Sequence, residues 1–195
     1  MEAAIVRACN RFGIGRIDPL TELVCAVPFL IALWVGLILA AVVHDRPRGR
    51  QVFFGVLVAV ALHAVITEGL LKHALTLLLP MRVRPYLAHP GEITPIGTLF
   101  SDSSFPSSHC ASTAAIVTVF ARQYAGAWAA ALGFVLLMDF SRMHNGMHYP
   151  TDVLTGSLLG LGYGLLAVMW VTRRTALGQA LAAAPAKPGG GRRGA

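Results

Sequence analysis

Three polar clusters interrupt an otherwise apolar sequence: Arg82-Val83-Arg84-Pro85, Phe105-Pro106-Ser107-Ser108-His109, and Ser141-Arg142 followed by His148 and Asp152. Arg84 and Arg142 carry planar guanidinium forks that match phosphate oxygens. Pro106 precedes an expected helix, so Ser107, Ser108 and His109 fall where the unpaired N–H groups of its first turn project. Such a turn attracts anions, and a histidine there can protonate a departing oxygen. His148 lies just before another expected helix, with Asp152 in that helix's first turn. A carboxylate beside an imidazole fixes its tautomer, stabilises the imidazolium and leaves the other nitrogen free to attack. Two histidines, a carboxylate and a basic cradle form a set for phosphoryl transfer, where positioning and charge stabilisation supply most of the catalysis. This set calls for no metal and no cofactor.

Other readings compete at several positions. His144, His148 and Asp152 are spaced by four, which on one continuous helix gives a metal site; Gly146 and Pro150 interrupt that helix. Glu68 and Lys72 can pair as helix neighbours, as can Asp139 and Arg142. His63 and His73 read as satisfied helix-face residues.

The elements that hold these clusters are membrane helices. Apolar residues make up 55% of the 195 residues and charged ones 13%, too few charges for an ordinary soluble domain. Leu23–Val43 and Val153–Thr172 carry no charge, and each approaches the roughly 20 residues that cross a bilayer. The net charge of +7 is scattered between apolar runs, which points to a membrane surface and away from nucleic acid. Cys9, Cys25 and Cys110 form no CxxC pair, so neither a disulfide framework nor a zinc site is expected.

The expected architecture is an all-α integral-membrane bundle of five to six spans. Residues 1–20 read as an interfacial amphipathic segment or a frayed terminus, 21–174 as the membrane-embedded domain, and 175–195 as a disordered basic tail. The helices run over about 23–43, 52–71, 107–121, 125–138 and 150–172, the third and fourth as a hairpin turning near Arg122 or as a re-entrant pair. Prolines at 80, 85, 90, 95 and 106 forbid one helix over 72–106. Gly156, Gly160 and Gly164 suit close packing against the helix bearing His109, or a homodimer face. Lys and Arg divide nine against seven between the two sides, which places the polar loops outside.

Ser141-Arg142-x5-His148-x3-Asp152, with Pro106-Ser107-x-His109 and Arg84-Pro85, resembles the type 2 phosphatidic acid phosphatase superfamily over residues 68–165. The segment His148-Tyr149-Pro150-Thr151-Asp152-Val153 looks like its bacterial form, and Arg84-Pro85-Tyr86-Leu87-Ala88-His89 like undecaprenyl-diphosphate phosphatases of the bacitracin-resistance type. The second motif usually has glycine where this chain has Ser108, and the lysine expected seven residues before Arg84 is Leu77.

The resemblance implies a lipid phosphate or diphosphate substrate and a phosphohistidine on His148 oriented by Asp152. It implies His109 as general acid and then base, with Arg84, Ser107, Ser108 and Arg142 as phosphate ligands. Lys72 is taken as the missing cation, with Arg82 as the alternative. A bacterial plasma membrane location is expected, with the site facing outward on the Lys and Arg count. Phosphatidylglycerophosphate or lipid A hydrolysis, phosphotransfer to another acceptor, and a non-catalytic binding role are the alternatives.

Overall fold

The computed structural model describes residues 1–78 and 80–183, and no strand occurs among them. Two short helices, α1 (Glu2–Arg11) and α2 (Asp18–Cys25), precede α3 (Val27–His44). Ala26 is extended and separates α2 from α3, whose first turn carries Pro28. The next helix, α4 (Arg46–Leu62), carries Pro47 in its first turn, with the Asp45 carboxylate accepting the Arg48 N–H. It continues as a π-helix, His63–Ala74, and a short turn, Leu75–Leu77. After the one-turn α5 (Pro85–Ala88) come α6 (Ser108–Gln123), α7 (Trp128–His144) and α8 (Pro150–Ala183).

Among the described residues, four stretches are long and apolar enough to cross a membrane: Val27–His44, Arg46–Ala74, Ala125–His144 and Pro150–Leu177. The outward surface agrees, since Ile31, Val35, Leu39 and Val43 of α3 and Leu154, Leu158 and Leu166 of α8 are exposed. A soluble monomer rarely presents so much contiguous apolar surface, and the protein is a helical membrane bundle. The fifth long helix, α6, is shorter and sits at its centre, with Cys110, Ala111, Ala115, Val119 and Ala121 buried.

Small residues let α8 lie against α6. A Cβ added at Gly156, Gly160 or Gly164 would fall 2.5 Å from the Ser107 carbonyl oxygen, 2.2 Å from that of Ala111 and 2.6 Å from Thr118 Cβ. These glycines therefore face α6, the helix that carries His109. Val52, Val56 and Ala59 of α4 close the core against Ala115, Val119, Tyr163 and Ala167.

The N-terminal segment is more integrated than an interfacial helix requires. Val6 is fully buried against Ile93 and Tyr149. Asn10 donates to the Thr94 and His144 carbonyls and accepts the Thr94 N–H. Position 20 falls inside α2. At the other end, α8 is helical to Ala183, into the stretch expected to be disordered. The rest of that expected tail, 184–195, lies outside the described residues.

Candidate active site

Backbone hydrogen bonds draw the three polar clusters to one end of the bundle. The Tyr86 N–H donates to the Gly146 carbonyl, Ser104 to Arg82 and Ser107 to Asp152, at 3.1, 2.9 and 3.1 Å. Gly146 turns the chain from α7 into α8 at a φ of 72°, against Ile93. A left-handed turn of this kind favours glycine.

A cavity of about 250 Å³ opens there. Lys72, Arg84, Ser108, His109, Arg142 and His148, all singled out in the sequence, line it together with Glu68, Phe100 and Asp102. His148 is buried. Its Nδ1–H donates to the Ser104 carbonyl at 2.7 Å, so Nε2 is the unprotonated nitrogen. That nitrogen accepts from Arg84 Nη1 at 3.2 Å and lies 3.4 Å from Arg142 Nη2. Burial, then the charges of Arg142, Arg84 and Lys72, push the imidazole well below its ordinary pKa. The result is a neutral, directed imidazole facing guanidinium groups. Phe100 packs beside both guanidiniums, at 5.6 Å from Arg84 and 5.8 Å from Arg142.

Asp152 stands behind the cavity, and its role differs from the direct imidazole partner read from the spacing. Its Oδ2 is 3.7 Å from His148 Nδ1 and instead accepts the Tyr149 N–H at 2.8 Å. Its Oδ1 accepts from Arg82 Nη1 at 2.5 Å, and Arg82 also donates to Glu2 of α1 at 2.5 Å and to Thr151 at 2.7 Å. Arg82 thus faces Asp152, and Lys72 faces the cavity.

Lys72 lies in the last turn of the π-helix His63–Ala74, and its side chain reaches the cavity. Lys72 Nζ donates to Asp102 Oδ2 at 2.8 Å and Arg84 Nη2 to Asp102 Oδ1 at 2.7 Å. Burial works to raise the Asp102 carboxyl, but the hydrogen bonds and charges of Lys72 and Arg84 outweigh it and hold it below the usual carboxylate range. Glu68 does not pair with Lys72; its carboxylate accepts from the Ser108 hydroxyl. The His109 Nε2–H donates to the Cys25 carbonyl at 3.1 Å, at the break between α2 and α3.

Ser107 is not in the cavity wall. It is the residue preceding α6, its N–H is spent on Asp152, and its buried hydroxyl has no partner among the described residues. His144 turns away from His148, with Nδ1 on the Cys9 carbonyl at 2.8 Å and Nε2 on Asp18 at 2.9 Å. Asp139 accepts from Ser157 at 2.8 Å.

Sequence reasoning did not single out Ser104, Phe100 or Asp102. Only Asp102 carried a signal, as one of two acids, with Glu92, between the first two motifs.

The sequence pattern of the PAP2 superfamily matches residues 52–176, a stretch containing every one of the proposed site residues. The chain belongs to the PAP2 superfamily.

It is 42% identical over 96 residues to decaprenylphosphoryl-5-phosphoribose phosphatase of Mycolicibacterium smegmatis, covering 48% of this chain and 51% of that one. It is 35% identical over 111 residues to undecaprenyl-diphosphatase BcrC of Bacillus subtilis, covering 54% of each. The chain spans about half the length of the curated relatives it matches.

The crystal structure of Aquifex aeolicus LpxE superposes with a TM-score of 0.65 at 16% identity over 85% of this chain and 93% of that one. That of a transmembrane PAP2-type phosphatidylglycerolphosphate phosphatase from Bacillus subtilis gives 0.64 at 22% over 88% and 85%. These two establish a shared fold. The PAP2 match begins inside α4, so α1 to α3 lie outside it, yet Glu2 and Cys25 both bond to residues of the site.

Proposed function

We propose that this protein is a lipid phosphatase that hydrolyses a polyprenyl-linked phosphate or diphosphate, with undecaprenyl diphosphate the first substrate to test. The observation that carries this reading is His148 Nε2, held unprotonated and aimed between Arg84 and Arg142. The two relatives named above bear the names of phosphatases acting on polyprenyl-linked substrates.

In the proposed reaction, Nε2 attacks phosphorus while the bond from phosphorus to the bridging oxygen breaks. Arg84, Arg142 and Lys72 spread the charge of the equatorial oxygens. His109, whose Nε2–H is held by the Cys25 carbonyl, must first take up a proton on Nδ1; it then gives that proton to the leaving oxygen, and the leaving group from a diphosphate is the polyprenyl monophosphate. His109 then takes a proton from water, whose oxygen attacks the phosphohistidine and releases inorganic phosphate. The Ser104 carbonyl holds the imidazole as it becomes cationic, with the Asp152 charge behind it.

The site is proposed to face outward across a bacterial plasma membrane. Arg48 lies over the Tyr124 ring at 6.0 Å, so the basic turn after α3 and the turn between α6 and α7 share the end opposite the cavity. An excess of Lys and Arg marks a cytoplasmic end.

The test is phosphate release by the purified protein in detergent, from undecaprenyl diphosphate, decaprenylphosphoryl-5-phosphoribose and phosphatidylglycerophosphate, with quenching to trap an acid-labile phosphohistidine. Turnover of a polyprenyl substrate with label on His148 is expected. Binding of all three lipids without phosphate release would make this a non-catalytic member, and turnover of phosphatidylglycerophosphate alone would replace the substrate class. An introduced cysteine at Pro95, challenged on intact cells with an impermeant thiol reagent, tests the orientation; protection until lysis would reverse it.

A further inference from the structure

The cavity wall holds two carboxylates among its cations, and they are placed differently. Glu68 is engaged by the Ser108 hydroxyl. Asp102 is engaged by the cations, its Oδ2 on Lys72 Nζ at 2.8 Å and its Oδ1 on Arg84 Nη2 at 2.7 Å. Arg84 turns its other terminal nitrogen, Nη1, to His148 Nε2. One guanidinium therefore spans from the Asp102 carboxylate to the nitrogen that would attack phosphorus. A phosphoryl group in line with that nitrogen needs the donors that Asp102 occupies.

We propose that Asp102 is a resident anion of the phosphate cradle, holding Lys72 and Arg84 until a phosphoryl group displaces it and setting how tightly the site keeps phosphate. This rests on the reading of the cavity as a phosphate site. Asp102 suits the role by its placement. Its side chain is 51% exposed, so it can leave for water, whereas Lys72 and Arg84 are 7% and 2% exposed and stay. With the carboxylate in place, two buried cations are never left unpaired, a condition that proteins avoid. Its return after reaction competes with the product for the same donors. An enzyme whose product is a free anion gains from such a competitor, because tight product binding slows release.

The alternative is a purely structural Asp102, which fixes the two cations in the geometry that phosphate needs. The two roles predict opposite signs. A competitor, once neutralised, frees the donors and tightens anion binding. A scaffold, once neutralised, loosens them and weakens it.

The experiment measures inhibition constants of inorganic phosphate and orthovanadate with the full chain in detergent, against a polyprenyl diphosphate, for wild type, Asp102→Asn and Asp102→Glu. The Asn variant is expected to bind both anions roughly tenfold more tightly and to show a lower KM, the size of two partly exposed charge contacts. The Glu variant, which keeps a carboxylate, is expected to stay within about twofold of wild type, a difference of under half a kcal/mol. Unchanged or weaker anion binding in Asp102→Asn, with its thermal unfolding unaltered, overturns the proposal. If that variant does not fold, a Glu variant that binds phosphate tenfold more weakly than wild type overturns it as well, since the competing charge is retained. Wild type that neither anion inhibits removes the phosphate-site reading itself, and this inference with it.

Discussion

Lys72→Met and Arg82→Met should fail in different ways, because the two cations the sequence left in competition face different groups. Lys72 lines the cavity, and among the described residues its ammonium pairs with Asp102, which keeps Arg84 as a second partner when Lys72 is gone. Asp102 is half exposed, so this loss should cost folding at most about 1 kcal/mol. The transition state loses one preorganised charge contact, worth about 3 kcal/mol or a hundredfold in kcat/KM. Arg82 is instead the charge partner of Asp152, which is 0% exposed, and it also links Thr151 and Glu2. Removing it leaves a buried carboxylate with one remaining N–H donor, from Tyr149. A fully buried pair broken this way costs about 3–5 kcal/mol; Arg82 is 31% exposed, so water should reduce that to about 1–3 kcal/mol. In a domain of this size each kcal/mol lowers Tm by about 2–4 °C. Phosphate release and tryptophan-detected unfolding, measured in one detergent, separate the cases. Arg82→Met with wild-type Tm and a hundredfold loss of kcat/KM, beside a nearly normal Lys72→Met, would refute the assignment.

Three further outcomes are expected. His148→Ala should abolish turnover while the protein still folds; Asp152→Asn should be milder, since the Ser104 carbonyl still holds Nδ1–H, and His148→Ala activity above a tenth of wild type would sink the nucleophile assignment. The lowered pKa of His148 means that its imidazole stays neutral as pH falls through 6.5, its ordinary value, and protonates only at lower pH; NMR titration of labelled histidine in the ligand-free protein checks this, and Arg142→Ala should move the midpoint upward because a repelling charge is gone. Gly160→Val should lower Tm by several degrees and activity with it, because its Cβ would press on the Ala111 carbonyl oxygen and Ala114; a variant with wild-type Tm would show that α8 can move away from α6 at no cost.

The bundle was legible because apolar runs of membrane length and the prolines between them are local signals. The chemistry was legible in part, since His109, Arg142 and His148 stand next to helix ends or breakers that fix where they point. Partnerships across long separations were not. Glu68 and Lys72 sit four apart, which on an α-helix suggests a pair, but on this π-helix one meets Ser108 and the other Asp102. The tautomer of His148 is set by the carbonyl of Ser104, and a backbone group has no residue type to announce it. The role of Arg82 depended on α1, a helix 70 and more residues upstream, and no spacing within a motif encodes that.

The same long-range partnerships account for the one departure inside the second motif. Glycine at position 108 would offer the cavity its N–H alone. Serine keeps that N–H and adds a hydroxyl, and this hydroxyl needs an acceptor, since an unpaired polar group in a membrane-bounded site is costly. Glu68, one turn before Lys72 on the π-helix, supplies it. The added hydroxyl and the Glu68 carboxylate therefore satisfy each other, and Glu68 is kept off Lys72 by that bond. Lys72 is left to Asp102 and to the cavity. Ser108 and Glu68 form one hydrogen-bonded pair, and Ser108→Gly alone should release Glu68 toward Lys72 and weaken phosphate binding. Ser108→Gly combined with Glu68→Gln should restore it, because the freed side chain no longer carries a charge to compete for the lysine. Inhibition constants for orthovanadate across this double-mutant cycle measure the coupling, and additive effects of the two substitutions would show that they are independent.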